Sequence, residues 1–304
     1  MQPLSFRVAF FILMPAIALD AQWSDRLYPF RELTDEMRAR IDLRDGSVED
    51  WSEVFREPTL TPLDFATPPS YPEYDPSSFD FRIWLAWHDS GNHLFVAAEI
   101  VDDTYAGDFP WRAFHWPPIE ATLHFLVDGD SSGGAVVETG EDNVVIRDIT
   151  MGQAQKYWAV AENNENGSNV FLEWVSTHFP WAHQVPYADG GGRVLDSQPV
   201  FYVIEFYVTA FDRLIWDAPE QSLVSELLTG KMIEFAMFLQ DSDMDPSTPD
   251  RAHDLFGPDA SWDLPLIWTS DHWAHGILLG ADGGTSGTAV ESVTWARIKA
   301  SLSE

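Results

Sequence analysis

The feature that most constrains this chain is a recurring alternation of short aromatic and β-branched runs with clusters of turn-forming residues. Nine runs stand out: FDFRIWLAW (79–87), HLFVAAEIV (93–101), IEATLHFLV (119–127), NVVIRDI (143–149), QKYWAVAE (155–162), NVFLEWVS (169–176), PVFYVIEFYVT (199–209), KMIEFAMFLQD (231–241) and AVESVTWARIKAS (289–301). Several alternate apolar with polar residues, which in a strand puts one face on a core and the other toward water. The intervals DGDSSGG, ENNENGS, ADGGG and DSDMDPSTPD are rich in Gly, Asp, Asn and Ser and read as loops. HDSGN, between the first two runs, predicts a hairpin. Helical patterning is confined to two stretches: residues 23–40, with Thr34 as cap and Met37 on the apolar side, and 211–228, which Pro219 limits. Strand after strand without βα alternation predicts an all-β chain, an antiparallel β-sandwich of jelly-roll type with long loops and few short helices. The proline-rich stretch 58–76 reads as a linker whose tyrosines and Phe65 pack along the sheet.

Charge narrows the partners. The 304 residues hold 17 basic and 49 acidic side chains, a formal charge of −32, with lysine only at Lys156, Lys231 and Lys299. Phosphate backbones are bound by clustered Lys and Arg, so nucleic acid is excluded, as is an anionic membrane surface. An acidic solubilising surface, divalent cations and neutral ligands such as sugars all remain compatible. Cysteine is absent, which removes disulfides, thiolate nucleophiles and cysteine-based metal sites. Residues 1–21 read as a signal peptide: Arg7, then an apolar run over 8–18, then small residues at Ala16, Ala18 and Ala21. That run is too short for a membrane-spanning helix, which takes about 20 residues. The expected organisation is a signal peptide, an N-terminal extension over 22–40 and a sandwich with insertions over 41–304, in a secreted or periplasmic product without membrane insertion.

IDLRDGSVEDWSEV (41–54), FDFRIWLAWHDSGNHLFVAAEIVDD (79–103), IEATLHFLVDGDSSGG (119–134) and the closing SVTWARIK (292–299) form a recognisable order. Together they resemble the family 9 carbohydrate-binding modules and their relatives in the DOMON-like sandwich group. The sequence departs from that pattern at Leu43, Arg44, Asp45 and Phe95, and the segments 105–116 and 179–196 look like insertions. The resemblance implies a carbohydrate partner, often a structural calcium, and no catalysis. Some members of the same group bind b-type haem between the sheets through Met or His, which makes Met232, Met237, His88 and His124 candidates under an alternative redox reading. An accessory domain of a glycoside-degrading system is a further alternative.

The residues themselves offer several constellations. Trp111, Trp116, Trp174, Trp181 and Trp273 fall in loops or at strand ends, and two FPW clusters (109–111 and 179–181) would hold an indole rigidly for stacking on a sugar ring. The competing reading is that these indoles cover a sandwich end as core. Arg82 and Asp103, on the paired strands, are candidate polar contacts to a ligand. Arg82 could instead neutralise the adjacent Asp102 and Asp103. Asp128, Asp130 and Ser131 in one turn, and Asp241, Asp243 and Asp245 in another, present oxygen ligands at alternate positions as calcium requires, although Asx-turn chemistry explains the same spacing. Glu99 and Glu120 sit in apolar strands and need only point outward. His272 and His275 could bind a metal if helical. Nucleophile elbows, P-loops and dinucleotide fingerprints are absent.

Overall fold

The computed structural model describes residues 25–104, 122–137, 150–161, 168–195, 199–241 and 251–284. It is an all-β, mainly antiparallel sandwich. Its strands are β1 (Tyr28–Glu32), β2 (Phe79–His88), β3 (His93–Asp102), β4 (Thr122–Asp128), β5 (Gln155–Val160), β6 (Val170–Leu172), β7 (Ala188–Leu195), β8 (Val200–Val208), β9 (Phe211–Arg213), β10 (Leu223–Val224), β11 (Met232–Asp241), β12 (Arg251–Leu255) and β13 (Ala274–Leu279). The expected hairpin is β2–β3, paired without a break from Phe79↔Asp102 to His88↔His93. Asn92 closes it in the left-handed region at φ 51°, which Asn tolerates.

One sheet runs β6-β5-β4-β11-β13-β1-β2-β3-β8-β7. Along one edge of β11, residues 232–235 pair with β13 and residues 237–241 with β12. Among the described strands only β1 runs parallel to its neighbours, β13 on one side and β2 on the other. The sheet curls until its ends meet, and the triglycine of β7 is what lets them. A side chain on Gly191 would collide with the Leu43 carbonyl, and ones on Gly190 and Gly192 with Asn169 and Ala161 beside β6. Between the two halves lies the main core, where Phe30 meets Phe235 edge-on at 5.1 Å and Phe125 meets Phe206 at 6.3 Å. Each such buried ring contributes about 1.5–3 kcal/mol.

β2, β3 and β8 are buried on both faces, which explains why they read as nearly continuous apolar runs. Their outer face, with Trp84, Phe95, Ala97, Val203 and Tyr207, is covered by Leu33, Ile41, Leu43, Val48, Trp51 and Phe55. These come from the segment holding α1 (Asp35–Arg38) and α2 (Glu49–Phe55). The N-terminal region expected as one helix is therefore β1 followed by α1, with Thr34 Oγ1 accepting from Met37 N (3.2 Å) as the cap. The proline-rich stretch does line the sheet: Leu60 bridges to Ile83, Ala66 to Asp254, and Phe65 packs edge-on against Phe81.

Three expectations are corrected. The helix expected over 211–228 is the β9–β10 pair, because the Gln155 amide binds both Phe211 N (2.8 Å) and Phe211 O (2.9 Å) and holds that backbone extended. The ADGGG loop is the first half of β7. The run 169–176 is strand only to Leu172, and turns at Trp174 (φ 63°) into the helical turn Val175–His178. The signal peptide and the runs 143–149 and 289–301 lie outside the described residues.

Glu205 stands in the middle of the outer core, fully buried, with Oε1 accepting from Trp51 Nε1 at 2.7 Å. Desolvation first, then Asp50, Asp45 and Asp42, push its pKa up to about 9. Because the folded value lies above the ordinary one, the stability tied to the protonated acid is complete below the ordinary carboxylate range. It is lost as pH rises toward 9, and the loss reaches about 3 kcal/mol by pH 7. Glu234, Asp254 and Asp128 are raised only to about 7, 7 and 6, so above pH 7.5 Glu205 dominates the slope. We expect Glu205→Gln to raise the melting temperature at pH 8.5 and to flatten its fall between pH 7.5 and 9. Parallel curves for variant and wild type would show that Glu205 is not buried as a neutral acid.

Candidate functional site

The most distinctive polar chemistry lies on the opposite half of the sandwich, on the face of β4, β5, β6 and β11 turned away from the main core. Register places Phe171, Trp158, His124, Phe238 and Asp254 in one row across β6, β5, β4, β11 and β12. Trp158 stacks on Phe171 at 4.3 Å and 16°, and His124 on Phe238 at 4.0 Å and 17°. Two residues along β5 from Trp158, Lys156 Nζ lies 2.7 Å from Glu173 Oε2, with the two side chains 6% and 3% exposed. The same ammonium lies 5.4 Å from the Phe238 ring and 5.1 Å from the ring of Trp268, on a short 3-10 turn (Leu266–Trp268). Alternation along the strands explains the arrangement: the intervening Tyr157, Phe125 and Met237 fill the main core.

His124 is held well below the usual histidine range, mainly by burial and further by the Lys156 ammonium, so it is neutral near pH 7. Its Nδ1 and the Oε1 of Glu173 are buried with no hydrogen-bond partner among the described residues. The face therefore combines aromatic rings, an ammonium, a carboxylate and a neutral imidazole, packed on one another and nearly closed to solvent, with Trp158 8%, Phe238 6% and His124 5% exposed.

None of these residues was singled out as a sugar contact from the sequence, and His124 only as a haem ligand under the redox alternative. Of those that were, Trp181 sits on the 3-10 turn Pro180–His183, half-buried, donating through Nε1 to Trp216 O (2.8 Å) and standing edge-on to Tyr187 at 4.9 Å. Trp273 is 1% exposed with its Nε1 bonded to Leu266 O (2.8 Å), so it is core and has no face free for stacking. Arg82 pairs with Glu99, directly across the hairpin, and lies over Trp84, so it does not serve Asp102 or Asp103. Asp102 is buried, its Oδ1 accepting from Thr104 N (2.9 Å), while Asp103 is exposed. His272 meets Asp259 at 3.4 Å, and His275 lies in β13 rather than one helical turn away. Trp111, Trp116, Glu120, Asp243 and Asp245 lie outside the described residues.

Asp128, Asp130 and Ser131 do occupy a tight turn. Asp128 is fully buried, its Oδ2 accepting from Gly133 N and Ser270 Oγ (both 2.9 Å) and its Oδ1 from Asp130 N at 3.3 Å. Desolvation and the adjacent Asp130 push it up to about 6. Both Asp128 oxygens thus already accept from the chain's own donors. Asp241, buried at the end of β11, is the one member of the second acidic turn within the described residues. Among the described residues no three acidic or histidine side chains converge as metal ligands.

The haem alternative fits poorly. Met237 is buried in the main core while His124 faces the other side of the sheet, and His88 is bound to Asp35 at 3.0 Å. Met232 lies six residues from Phe238 along β11, about 20 Å at the rise of a strand. These four do not converge on one iron.

No protein-family model and no curated protein matches the sequence. Among solved structures the chain is similar to a family 9 carbohydrate-binding module from Caldicellulosiruptor kristjanssonii in complex with cellotriose. Identity is 13%, coverage 88% of this chain and 98% of that one, and the TM-score 0.49. It is likewise similar to such a module from the same organism in complex with glucose, at 13% identity, 86% and 100% coverage and a TM-score of 0.47.

Breaking a buried ion pair costs about 3–5 kcal/mol because one charge is left stranded, whereas replacing both partners by apolar residues is close to neutral. We expect Lys156→Met alone to lower stability by an amount in that range, and Lys156→Met with Glu173→Leu to restore most of it. A double variant no more stable than the single one, in urea titrations, would show that the two charges are not coupled.

Proposed function

We propose that this chain is an exported, non-catalytic carbohydrate-binding protein whose ligand engages the Phe171–Trp158–His124–Phe238 row and the Lys156–Glu173 pair. One observation supports the reading above the rest: a buried ion pair and a neutral histidine whose Nδ1 has no partner among the described residues occur together in an aromatic row. A buried ion pair is weak as a device for stability, and a buried polar atom without a partner costs about 1–3 kcal/mol. A pyranose supplies what these groups lack, hydroxyls for His124 Nδ1 and Glu173 Oε1 and C–H faces for the rings. The sequence resemblance to family 9 modules points the same way.

The half-buried Trp181 is a secondary contact in this proposal, as are Trp111 and Trp116. Structural calcium at the Asp128–Asp130 turn also belongs to it, where an ion would relieve two adjacent carboxylates. That element falls if melting temperatures in millimolar calcium and in chelator coincide.

The function is tested by retention on insoluble polysaccharides and a neutral glycan array. Wild type should bind, the Lys156→Met, Glu173→Leu double variant should lose at least tenfold in affinity while remaining folded, and Trp181→Ala should lose less. Absence of any glycan binding by wild type removes the function. Loss confined to Trp181→Ala moves the site to the loops.

A further inference from the structure

The turn that follows β4 and the segment that carries Trp268 are fastened to one another at several points. Ser270 donates through Oγ to Asp128 Oδ2 (2.9 Å) and through N to Gly134 O (2.9 Å). Val136 N donates to Trp268 O (2.8 Å), Ala135 bridges to Thr269, and Gly134 N donates to Asp271 Oδ1 (3.2 Å). Trp273, on the far side of the segment, holds Leu266 O through its indole. Of these attachments only the Asp128–Ser270 bond is made by two fully buried side chains, and Asp128 also shapes its own turn through Gly133 N and Asp130 N. Apart from Leu266, which is buried in the main core, residues 264–268 lie at its margin: Leu264 and Pro265 are exposed, and Ile267 and Trp268 only half-buried. Trp268 nevertheless delivers its ring to the buried Lys156 ammonium.

We propose that Asp128 is a positioning residue for the ligand face: through Ser270 it holds the Trp268 indole over Lys156, so that the indole forms one wall of the site without Asp128 touching the ligand. An aromatic wall contributes to binding only when its ring is already in place, because ordering it on binding subtracts from the affinity. A bond between buried groups at the base of the segment supplies that order in advance. The functional meaning rests on the proposed ligand face, whereas the attachment can be tested without any ligand.

The experiment is amide hydrogen exchange read by mass spectrometry, together with titration of gluco- and manno-oligosaccharides. It compares wild type, Asp128→Asn, Ser270→Ala and a control, Asp282→Asn, whose exposed carboxylate accepts from Gly284 N and does not meet Ser270. Ser270→Ala cuts the side-chain bond and leaves the Asp128 turn whole, so it decides the matter if Asp128→Asn folds poorly. We expect exchange over 264–273 to rise at least tenfold in Asp128→Asn and Ser270→Ala and not in the control. Affinity should fall about tenfold in the same two variants, with β2–β3 protection unchanged. Unchanged exchange in Ser270→Ala overturns the proposal, as does faster exchange across the whole sheet, which would mark general support of the fold. Faster local exchange with undiminished affinity overturns it too. If wild type binds none of the sugars, exchange alone decides the positioning claim, and it is the ligand reading that fails.

Discussion

Residues 28–32 make the backbone bonds that turn two sheets into one. β1 pairs in parallel with β13 through Tyr28↔Gly276 to Arg31↔Leu279, and with β2 through Arg31↔Ala86 and Glu32↔Trp87. Without it β6-β5-β4-β11-β13 and β2-β3-β8-β7 would be separate sheets with two further edges to protect. Phe30 on the same strand points into the core between Phe125 and Phe235, so the strand that joins the halves also wedges their shared interior. Gly276, opposite Tyr28, has no side chain because one would strike the Phe30 ring. Curling this single sheet buries its inner face and leaves two outer faces that the chain must cover separately.

The two coverings differ in their chemistry. Over β2, β3 and β8 the segment from Leu33 to Phe55 lays down an almost wholly apolar layer, with Glu205 as its buried acid. Glu205 sits among aspartates and resolves the conflict by remaining protonated, with one indole donor. Over β4, β5 and β11 the buried charges persist as a pair, bracketed by aromatic rings and a neutral imidazole. The first solution makes the fold sensitive to alkali. The second retains separated charge and open hydrogen-bonding capacity beside ring faces, the combination expected where a polar ligand completes the structure.

Much of the framework was legible because alternation and turn chemistry act locally. Phe79 to Asp102 reads as a hairpin since both strands and the Gly91–Asn92 turn lie within one short stretch. β7 was not, because three glycines favour a loop in isolation and become a strand only where Leu43, Asn169 and Ala161 leave no room for a side chain. β9 was hidden for a similar reason: Gln155, far away in sequence, fixes Phe211 as extended. The candidate site was the least legible. Phe171, Trp158, His124 and Phe238 come from four strands, and only the pairing register shows that they share a row. Position in a loop was a poor guide to the tryptophans, since Trp273 lies beyond β12 and is core while Trp158 lies mid-strand beside the ion pair.

The central claim is that this row binds sugar through groups that have no partner among the described residues. The most direct measurement is nitrogen NMR of the His124 ring in protein labelled at histidine, assigned with His124→Gln and followed as a retained oligosaccharide is added. The account expects a neutral ring throughout, with the Nδ1 resonance shifting in proportion to saturation as it gains a hydroxyl partner. A His124 ring that is charged in the free protein, or one whose resonances stay fixed while sugar binds, would contradict it.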